Sequence, residues 1–562
     1  MFSSLSDRQR EIVFNKSGKF VVRACPGSGK TYCVGARLAR LIQSWEKKHE
    51  GIAVLSFTNV AWQEIEKKCG KQFNVSKILY PHFLGTIDSF VNKYVFFPFG
   101  HLVLKCNCRP TLVGEPHGIW SGKGYYNSLF DNISYAIDGS MYAIQVKRMK
   151  KEWQKNQSIT NAKKQNNKAG YATQNDANYF AMKILEKYPK VAQSIVARFP
   201  YLIVDEAQDT SDIQMRIIDL LIENGLNEVM LVGDPDQAIF EWNDARPELF
   251  IQKFNEWENS IILNENRRSS KNICDFTFGI SSLNIASVSV NEQVREFAYL
   301  PKIITYNNNL PQIVSDFIEE CQRYEINVSK ESTAIIYRSK SIVNEIHGIH
   351  KTNFNADIWK DNHTKEFARG KFLYDNGYFK DGFKIVERVL LKTIHNLSYC
   401  STRDIEDAIV KTGFVKYKSQ VYSFINLLPQ TNINIGEWVE IANRVIKENG
   451  YGFKLAVHKN ALLHAFSQLF INEDKQIIEK NYRYGTVHSV KGETFETVLL
   501  ILKTKGAKEM TYKNLLNNNI PISESEELRI AYVGMTRPSK VLVIAVPDEE
   551  NKRAWINKLL PK

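Results

Sequence analysis

Apolar strand-like runs alternate with amphipathic helical patterns along this chain, and the alternation predicts an α/β protein of two parallel-sheet units, each interrupted by an insertion. Three observations carry the prediction. An apolar run, Phe20-Val21-Val22, leads into a Gly-rich loop, Ala24–Thr31, and then into a helical pattern over Tyr32–Ser44. Strand-like runs at Phe20–Arg23, Ile52–Phe57 and Phe83–Gly85 stop near residue 100 and resume at Tyr201–Asp205, Val229–Asp234 and Ser260–Leu263. A second series begins at Lys302–Tyr306 and Thr333–Tyr337, breaks for a helix-rich stretch from about 350 to 480, and returns at Tyr484–His488, Thr497–Leu502 and Lys540–Val546. The two halves show no obvious internal repeat.

At 562 residues the chain is too long for a single core. Its net charge of +13 points to an anionic partner, most often nucleic acid. The stretch Lys147–Lys168 holds eight Lys/Arg against one Glu and reads as an exposed, mobile insertion. The eight cysteines are scattered, with Cys106 and Cys108 the nearest pair and no second pair to complete a zinc pattern, so reduced thiols in a cytoplasmic protein are expected. The N-terminus lacks a basic segment followed by an apolar one, and no apolar run is long enough to span a bilayer.

The chemistry begins at Ala24-Cys25-Pro26-Gly27-Ser28-Gly29-Lys30-Thr31. A strand, a Gly-rich loop and a helix opening on Lys-Thr form a phosphate cradle. Backbone N–H groups point at the phosphates, Lys30 reaches the β- and γ-phosphates, and the Thr31 hydroxyl suits Mg²⁺. Asp205 and Glu206 follow the apolar strand Leu202-Ile203-Val204. Paired carboxylates there suit a Mg²⁺ shell and the activation of a water.

Further motifs follow in order, and together with the cradle they resemble superfamily 1A helicases of the UvrD/Rep/PcrA type. Gln9 resembles the adenine-reading glutamine. Ser56-Phe57-Thr58-Asn59 and Gly85-Thr86-Ile87-Asp88-Ser89-Phe90 are similar to single-strand-contacting motifs, with Asp88 where the family has His. Val232–Gln237 resembles the motif whose glutamine, here Gln237, senses the γ-phosphate; Phe240 and Trp242 follow as base-stacking aromatics. Asn266-Arg267-Arg268-Ser269 resembles Asn-Tyr-Arg-Ser, which implies Arg268 as a γ-phosphate arginine, and Tyr337-Arg338-Ser339 resembles a backbone-contacting motif, which implies a contact through Arg338. Thr486-Val487-His488-Ser489-Val490-Lys491-Gly492 resembles a DNA-touching motif, with Thr486 and His488 as contacts, and Ala531–Arg537 the motif whose arginine, Arg537, completes the site.

The resemblance implies two RecA-like P-loop NTPase domains, each with an inserted, mainly helical subdomain. The boundaries expected are 1–100 plus 190–265 for domain 1A, 101–189 for its insertion 1B, 266–350 plus 480–562 for domain 2A, and 351–479 for a reduced insertion 2B. It implies ATP and Mg²⁺ as cofactors. Gln9, Gly27, Ser28, Gly29, Lys30, Thr31, Tyr32 and Arg267 would hold the nucleotide, and Thr31 and Asp205 the metal; Lys30, Glu206, Gln237, Arg268 and Arg537 would serve catalysis. Phe57, Thr58, Asn59, Thr86, Phe240, Trp242, Arg338, Thr486 and His488 would meet DNA.

Some positions depart from the family pattern. Tyr32 and Arg267 exchange the usual Arg and Tyr, and cation–π stacking on a base works with either arrangement. Asn243-Asp244 stands for Arg-Gly, and Glu493-Thr494 for Leu-Glu, which leaves the ribose-binding acid either lost at Thr494 or moved to Glu493. The implied activity is an ATP-dependent 3′→5′ translocase or helicase on single-stranded DNA or a 3′-tailed duplex. A DNA-end and nucleotide sensor controlling a partner nuclease, or an RNA substrate, stands beside it. The compact insertion resembles the helicase subunit of Gabija-type anti-phage systems, which implies an ATP-binding, nuclease-type partner.

Overall fold

The computed structural model describes residues 2–75, 77–114, 133–143, 157–239, 245–307, 309–338, 342, 346, 358–397, 400, 402–459, 463–470, 481–503 and 511–559. The first sheet contains β1 Lys19–Ala24, β2 Ile52–Ser56, β3 Phe83–Thr86, β4 Tyr201–Val204, β5 Glu228–Gly233 and β6 Ile261–Leu263, in the order β6-β1-β5-β4-β2-β3. Every pairing is parallel. Strand residues alternate between two cores. Phe20, Val22, Ile52, Val54, Ile203 and Met230 face one, while Val21, Ala53, Leu55, Leu202 and Leu231 face the other. A sheet covered on both faces explains the near-continuous apolar runs of its strands.

The second sheet has β7 Lys302–Thr305, β8 Thr333–Tyr337, β9 Arg483–Thr486, β10 Phe495–Ile501 and β11 Pro538–Val546, in the order β7-β11-β10-β8-β9, again all parallel. The same alternation divides Ile336, Val498, Leu500 and Ile544 from Ile335, Leu499, Ile501 and Val543. Between β8 and β9, which are neighbours in the sheet, the chain makes the helices Asn362–Asp375, Phe379–Ile394, Thr402–Thr412, Phe414–Leu427 and Ile435–Glu448. These close over a core of their own, including Phe367, Val386, Phe424 and the fully buried Trp438.

The basic stretch departs from its expected character. Residues 147–156 lie outside the described residues, and Gln157–Lys168 forms a helix. Ile159, Lys163 and Asn167 recur at helical spacing and are all buried. Lys163 Nζ meets Asp176 Oδ1 at 2.8 Å, with both side chains fully enclosed. Composition signalled solvent there, but the spacing makes one face of this helix part of a core.

A short repeat joins the two sheets. Gly85-Thr86-Ile87-Asp88-Ser89 ends edge strand β3, and Gly485-Thr486-Val487-His488-Ser489 ends edge strand β9. In both, the threonine hydroxyl caps the next helical turn by accepting from the serine N–H, at 3.1 and 3.3 Å. In both, the serine hydroxyl returns to the threonine carbonyl at 2.7 Å. The glycine is needed because a Cβ would press on that serine oxygen, at 2.9 Å from Gly85 and 2.5 Å from Gly485. Five residues are too few to stand out in the sequence; equal places in two sheets make them visible. Among the described residues no helix is long and apolar enough to cross a membrane, and all eight cysteines are free thiols.

Candidate nucleotide and nucleic-acid site

The phosphate loop connects β1 to the helix Lys30–Gln43. Gly27 and Gly29 both have left-handed backbone, φ +73° and +81°, and a Cβ on Gly27 would lie 2.6 Å from Asn266 Oδ1. Gly29 caps the helix, so its free N–H groups and positive dipole end face the loop. Ser28 is buried and its hydroxyl has no hydrogen-bond partner among the described residues. Thr31 Oγ1 donates to Asp205 Oδ2 at 3.4 Å, which brings together the two predicted metal-holding groups. Gln9 is fully buried beside the loop: its Oε1 accepts from Ser6 N–H at 3.2 Å and its Nε2 donates to the Ser28 carbonyl at 3.2 Å. Arg37 pins that segment by donating to the Lys16 carbonyl at 2.6 Å and the Tyr201 hydroxyl at 2.8 Å.

The carboxylates gather at the ends of β4 and β5. Glu206 has left-handed backbone at φ +54°, uncommon for a residue with a side chain and typical of functional turns. Burial, reinforced by the adjacent Glu206 charge, pushes the Asp205 carboxyl up to about 7. Burial also raises Asp234 to about 6, against the pull of Lys30. For Glu206 burial acts upward as well, but Lys30, Lys491 and a hydrogen bond from Gln208 together hold it below its ordinary value. Glu206 is therefore the carboxylate best kept ionised.

Several contacts cross from the second sheet's unit, among them Arg529 Nε to the Ala238 carbonyl at 2.7 Å. Arg537 Nη2 donates to Gln237 Oε1 at 2.7 Å, and Lys491 Nζ meets Asp209 Oδ2 at 2.7 Å. Arg268 Nε donates to Thr494 Oγ1 at 2.8 Å and its Nη1 to the Thr536 carbonyl at 2.9 Å. Desolvation lowers Arg268 to about 10. Desolvation, then the like charge of Arg268, lowers Arg537 to about 9. Two desolvated guanidinium groups that repel each other opposite a phosphate loop suit a bound polyanion. Lys30, Glu206, Gln237, Arg268 and Arg537 are thus brought to one cleft.

Tyr32 and Arg267 are at its edge. The Tyr32 ring lies 5.2 Å from that of Phe73 and its hydroxyl is 2.6 Å from Ser4 Oγ. Arg267 Nη2 reaches Glu265 Oε2 at 3.5 Å. Glu493 turns to Arg483 at 3.3 Å, away from Thr494's partner Arg268.

The predicted DNA contacts lie along the ends of both sheets. Thr58 caps the helix Asn59–Phe73 through Ala61 N–H at 3.3 Å, and Asn59 accepts from Trp62 Nε1 at 3.1 Å. Phe57, just before them, is half-buried, as are Thr86, Thr486 and His488. Burial, then Arg338, lowers the His488 pKa, which favours the neutral ring. Asp88, in the helical turn Ile87–Val91 after β3, accepts from Asn178 at 2.9 Å and Gln214 at 3.0 Å, tying that turn to two helices. Arg338 forks onto Glu527 at 2.8 and 2.5 Å. Phe240 and Trp242, with Asn243 and Asp244, lie outside the described residues. Sequence reasoning gave no role to Gln208, Asp209, Asp234 or Thr494; the first two stand inside the same acidic motif as Asp205, and that adjacency was the available signal.

Comparison with known proteins agrees with this geometry. The UvrD/REP helicase N-terminal domain matches residues 5–109 and 126–258, and the UvrD-like helicase C-terminal domain matches 458–549, together more than half of the chain. A probable DNA helicase II homolog of Mycoplasma capricolum is 24% identical over 474 residues, 78% of this chain and 59% of that protein, so the chain spans less than two thirds of that relative. The Gabija protein GajB of Bacillus cereus is 22% identical over 561 residues, covering 98% of this chain and 97% of its own. DNA helicase II of Haemophilus influenzae is 27% identical over 299 residues, 49% of this chain and 40% of its own. The chain belongs to the UvrD/Rep helicase family.

Proposed function

We propose that this protein is an ATP-dependent translocase or helicase that moves 3′→5′ on single-stranded DNA, built as two RecA-like domains with the boundaries expected from sequence. The observation that carries the reading is that side chains of the second sheet's unit bond to the phosphate loop's unit beside its carboxylates, Arg537 to Gln237 and Lys491 to Asp209. Gly27, Ser28 and Gly29 cradle the phosphates of ATP, Lys30 neutralises them, and Thr31 with Asp205 would hold Mg²⁺, whose charge would assist departure of the γ-phosphate. Glu206 takes the proton of the attacking water. Arg268 and Arg537 stabilise the charge that develops, and only with the cleft closed. Gln9 borders the base, and Tyr32 with Arg267 clamps it; a nucleotide complex with both side chains in solvent would end that part of the reading. Thr86 and Thr486, with Phe57, Thr58, Asn59, Arg338 and His488, line the strand's path, and Phe240 and Trp242 stack on its bases.

Strand displacement is the test. The protein should release a labelled strand from a 3′-tailed duplex with ATP and leave a 5′-tailed duplex intact. The opposite preference would overturn the polarity. Failure on both, with ATPase still stimulated by DNA ends, would favour a second reading. In it the chain senses DNA ends and nucleotide and regulates an ATP-binding, nuclease-type partner, as in a Gabija-type defence system, with little unwinding of its own. Similarity to GajB over almost the whole of both chains supports this partner reading.

A further inference from the structure

Gln208 stands between two of the contacts that cross the cleft, Lys491 to Asp209 and Arg537 to Gln237. It is fully buried. Its Nε2 donates to Glu206 Oε2 at 2.6 Å and to Asp209 Oδ2 at 3.3 Å, and its Oε1 accepts from the Asp234 N–H at 3.0 Å. These partners fix the amide's orientation, because the carboxylates accept and the N–H donates. The space is close: a Cβ on Gly233 would overlap Gln208 Oε1.

From Gln208 the bonds run outward in both directions. Asp209 Oδ2 receives Lys491 Nζ at 2.7 Å. Asp234 Oδ2 receives Gln237 Nε2 at 2.5 Å, and Gln237 Oε1 receives Arg537 Nη2 at 2.7 Å. A continuous chain therefore passes through Lys491, Asp209, Gln208, Asp234, Gln237 and Arg537. Both ends belong to the second sheet's unit, and Glu206 hangs from the middle. Lys491 follows the Thr486 cap by five residues, so one end of the chain starts beside a predicted DNA contact.

We propose that Gln208 is a positioning residue that ties the carboxylate of Glu206 to closure of the cleft. With Lys491 and Arg537 seated, the carboxamide has one orientation, and it holds Glu206 Oε2 in one place. When either end lets go, the carboxamide can turn, and Glu206 loses the donor that aims it. Misplacing a reacting group by about 1 Å costs on the order of a hundredfold in rate, so a single amide can gate turnover. This inference rests on the ATPase reading above.

The experiment is a double-mutant cycle on the full chain: wild type, Gln208→Met, Lys491→Ala and the double variant, assayed for ATP turnover with a single-stranded oligonucleotide. Methionine keeps the length of glutamine and makes none of its bonds. Each single variant should lower kcat at saturating DNA at least tenfold (about the effect of one lost positioning contact) while KM for ATP stays within about threefold. The double variant should be no slower than the worse single one by more than about twofold, since both remove the same constraint. Losses that multiply in the double variant, or a Gln208→Met protein with near wild-type kcat, would overturn the proposal. Should Gln208→Met fail to fold, judged by circular dichroism, Gln208→Glu keeps the acceptor for Asp234 N–H, loses the donor to Glu206, and is judged by the same two criteria. A Lys30→Ala protein with wild-type turnover would instead remove the ATPase reading itself, a different result from either outcome of the cycle.

Discussion

Arg537 reaches Gln237 across the cleft at 2.7 Å, joining the residue just before β11 of one sheet to the turn that follows β5 of the other. An arginine that is desolvated and repelled by a second arginine, yet hydrogen-bonded to a neutral amide, is placed for an anion. Arg537→Ala should lower kcat for ATP by about 10³-fold, the scale of a charge-stabilising arginine in phosphoryl transfer. Arg537→Lys should restore little of it, because a single ammonium cannot bond Gln237 and a phosphate with the same fork. Steady-state ATPase with saturating single-stranded DNA measures both.

Lys30→Ala and Glu206→Ala should each abolish DNA-stimulated ATPase while melting stays close to wild type. Neither side chain belongs to the hydrophobic cores that flank the first sheet. Retained turnover in both would refute the assignment of the site.

On the proposed strand path, Glu527 would compete with DNA for Arg338. The fork at 2.8 and 2.5 Å uses two donors of that guanidinium. Glu527→Gln should therefore tighten binding of a single-stranded oligonucleotide several-fold, and Arg338→Ala should weaken it and reduce the salt slope by about one unit. Fluorescence anisotropy across a salt series reads both effects.

The ion pair between Lys163 and Asp176 is enclosed on all sides. Removing one partner strands a buried charge, so Lys163→Met should destabilise the protein by about 3–5 kcal/mol. Replacing both, Lys163→Met with Asp176→Leu, should recover part of that loss. Urea denaturation monitored by circular dichroism decides it.

Much of this architecture was legible in the chain. Apolar runs two-sided by alternation, such as Phe20-Val21-Val22, predicted the sheet strands to within one or two residues at their ends. Gly27 and Gly29 foretold the left-handed turns of the loop because few other residues adopt them. Lys163 was misjudged because composition describes a segment's average, whereas a helix buries one stripe of it. For Gln208 the sequence offered only its place in the acidic motif: the bonds that link it through Asp209 to Lys491, and through Asp234 and Gln237 to Arg537, join residues far apart in sequence. The short Gly-Thr-x-x-Ser repeat was hidden for a related reason, since only the matching edge strands give it meaning.

The helical insertion leaves the second sheet after Tyr337 and rejoins it at Arg483, in strands that lie side by side and pair in register. Its entry and exit are thus neighbours, and its core is its own. Loop-closure entropy rises only slowly with length, so this part of the gene can be lengthened, trimmed or exchanged with little penalty to the sheet beneath it. The cleft chemistry and the insertion are therefore free to change at separate rates.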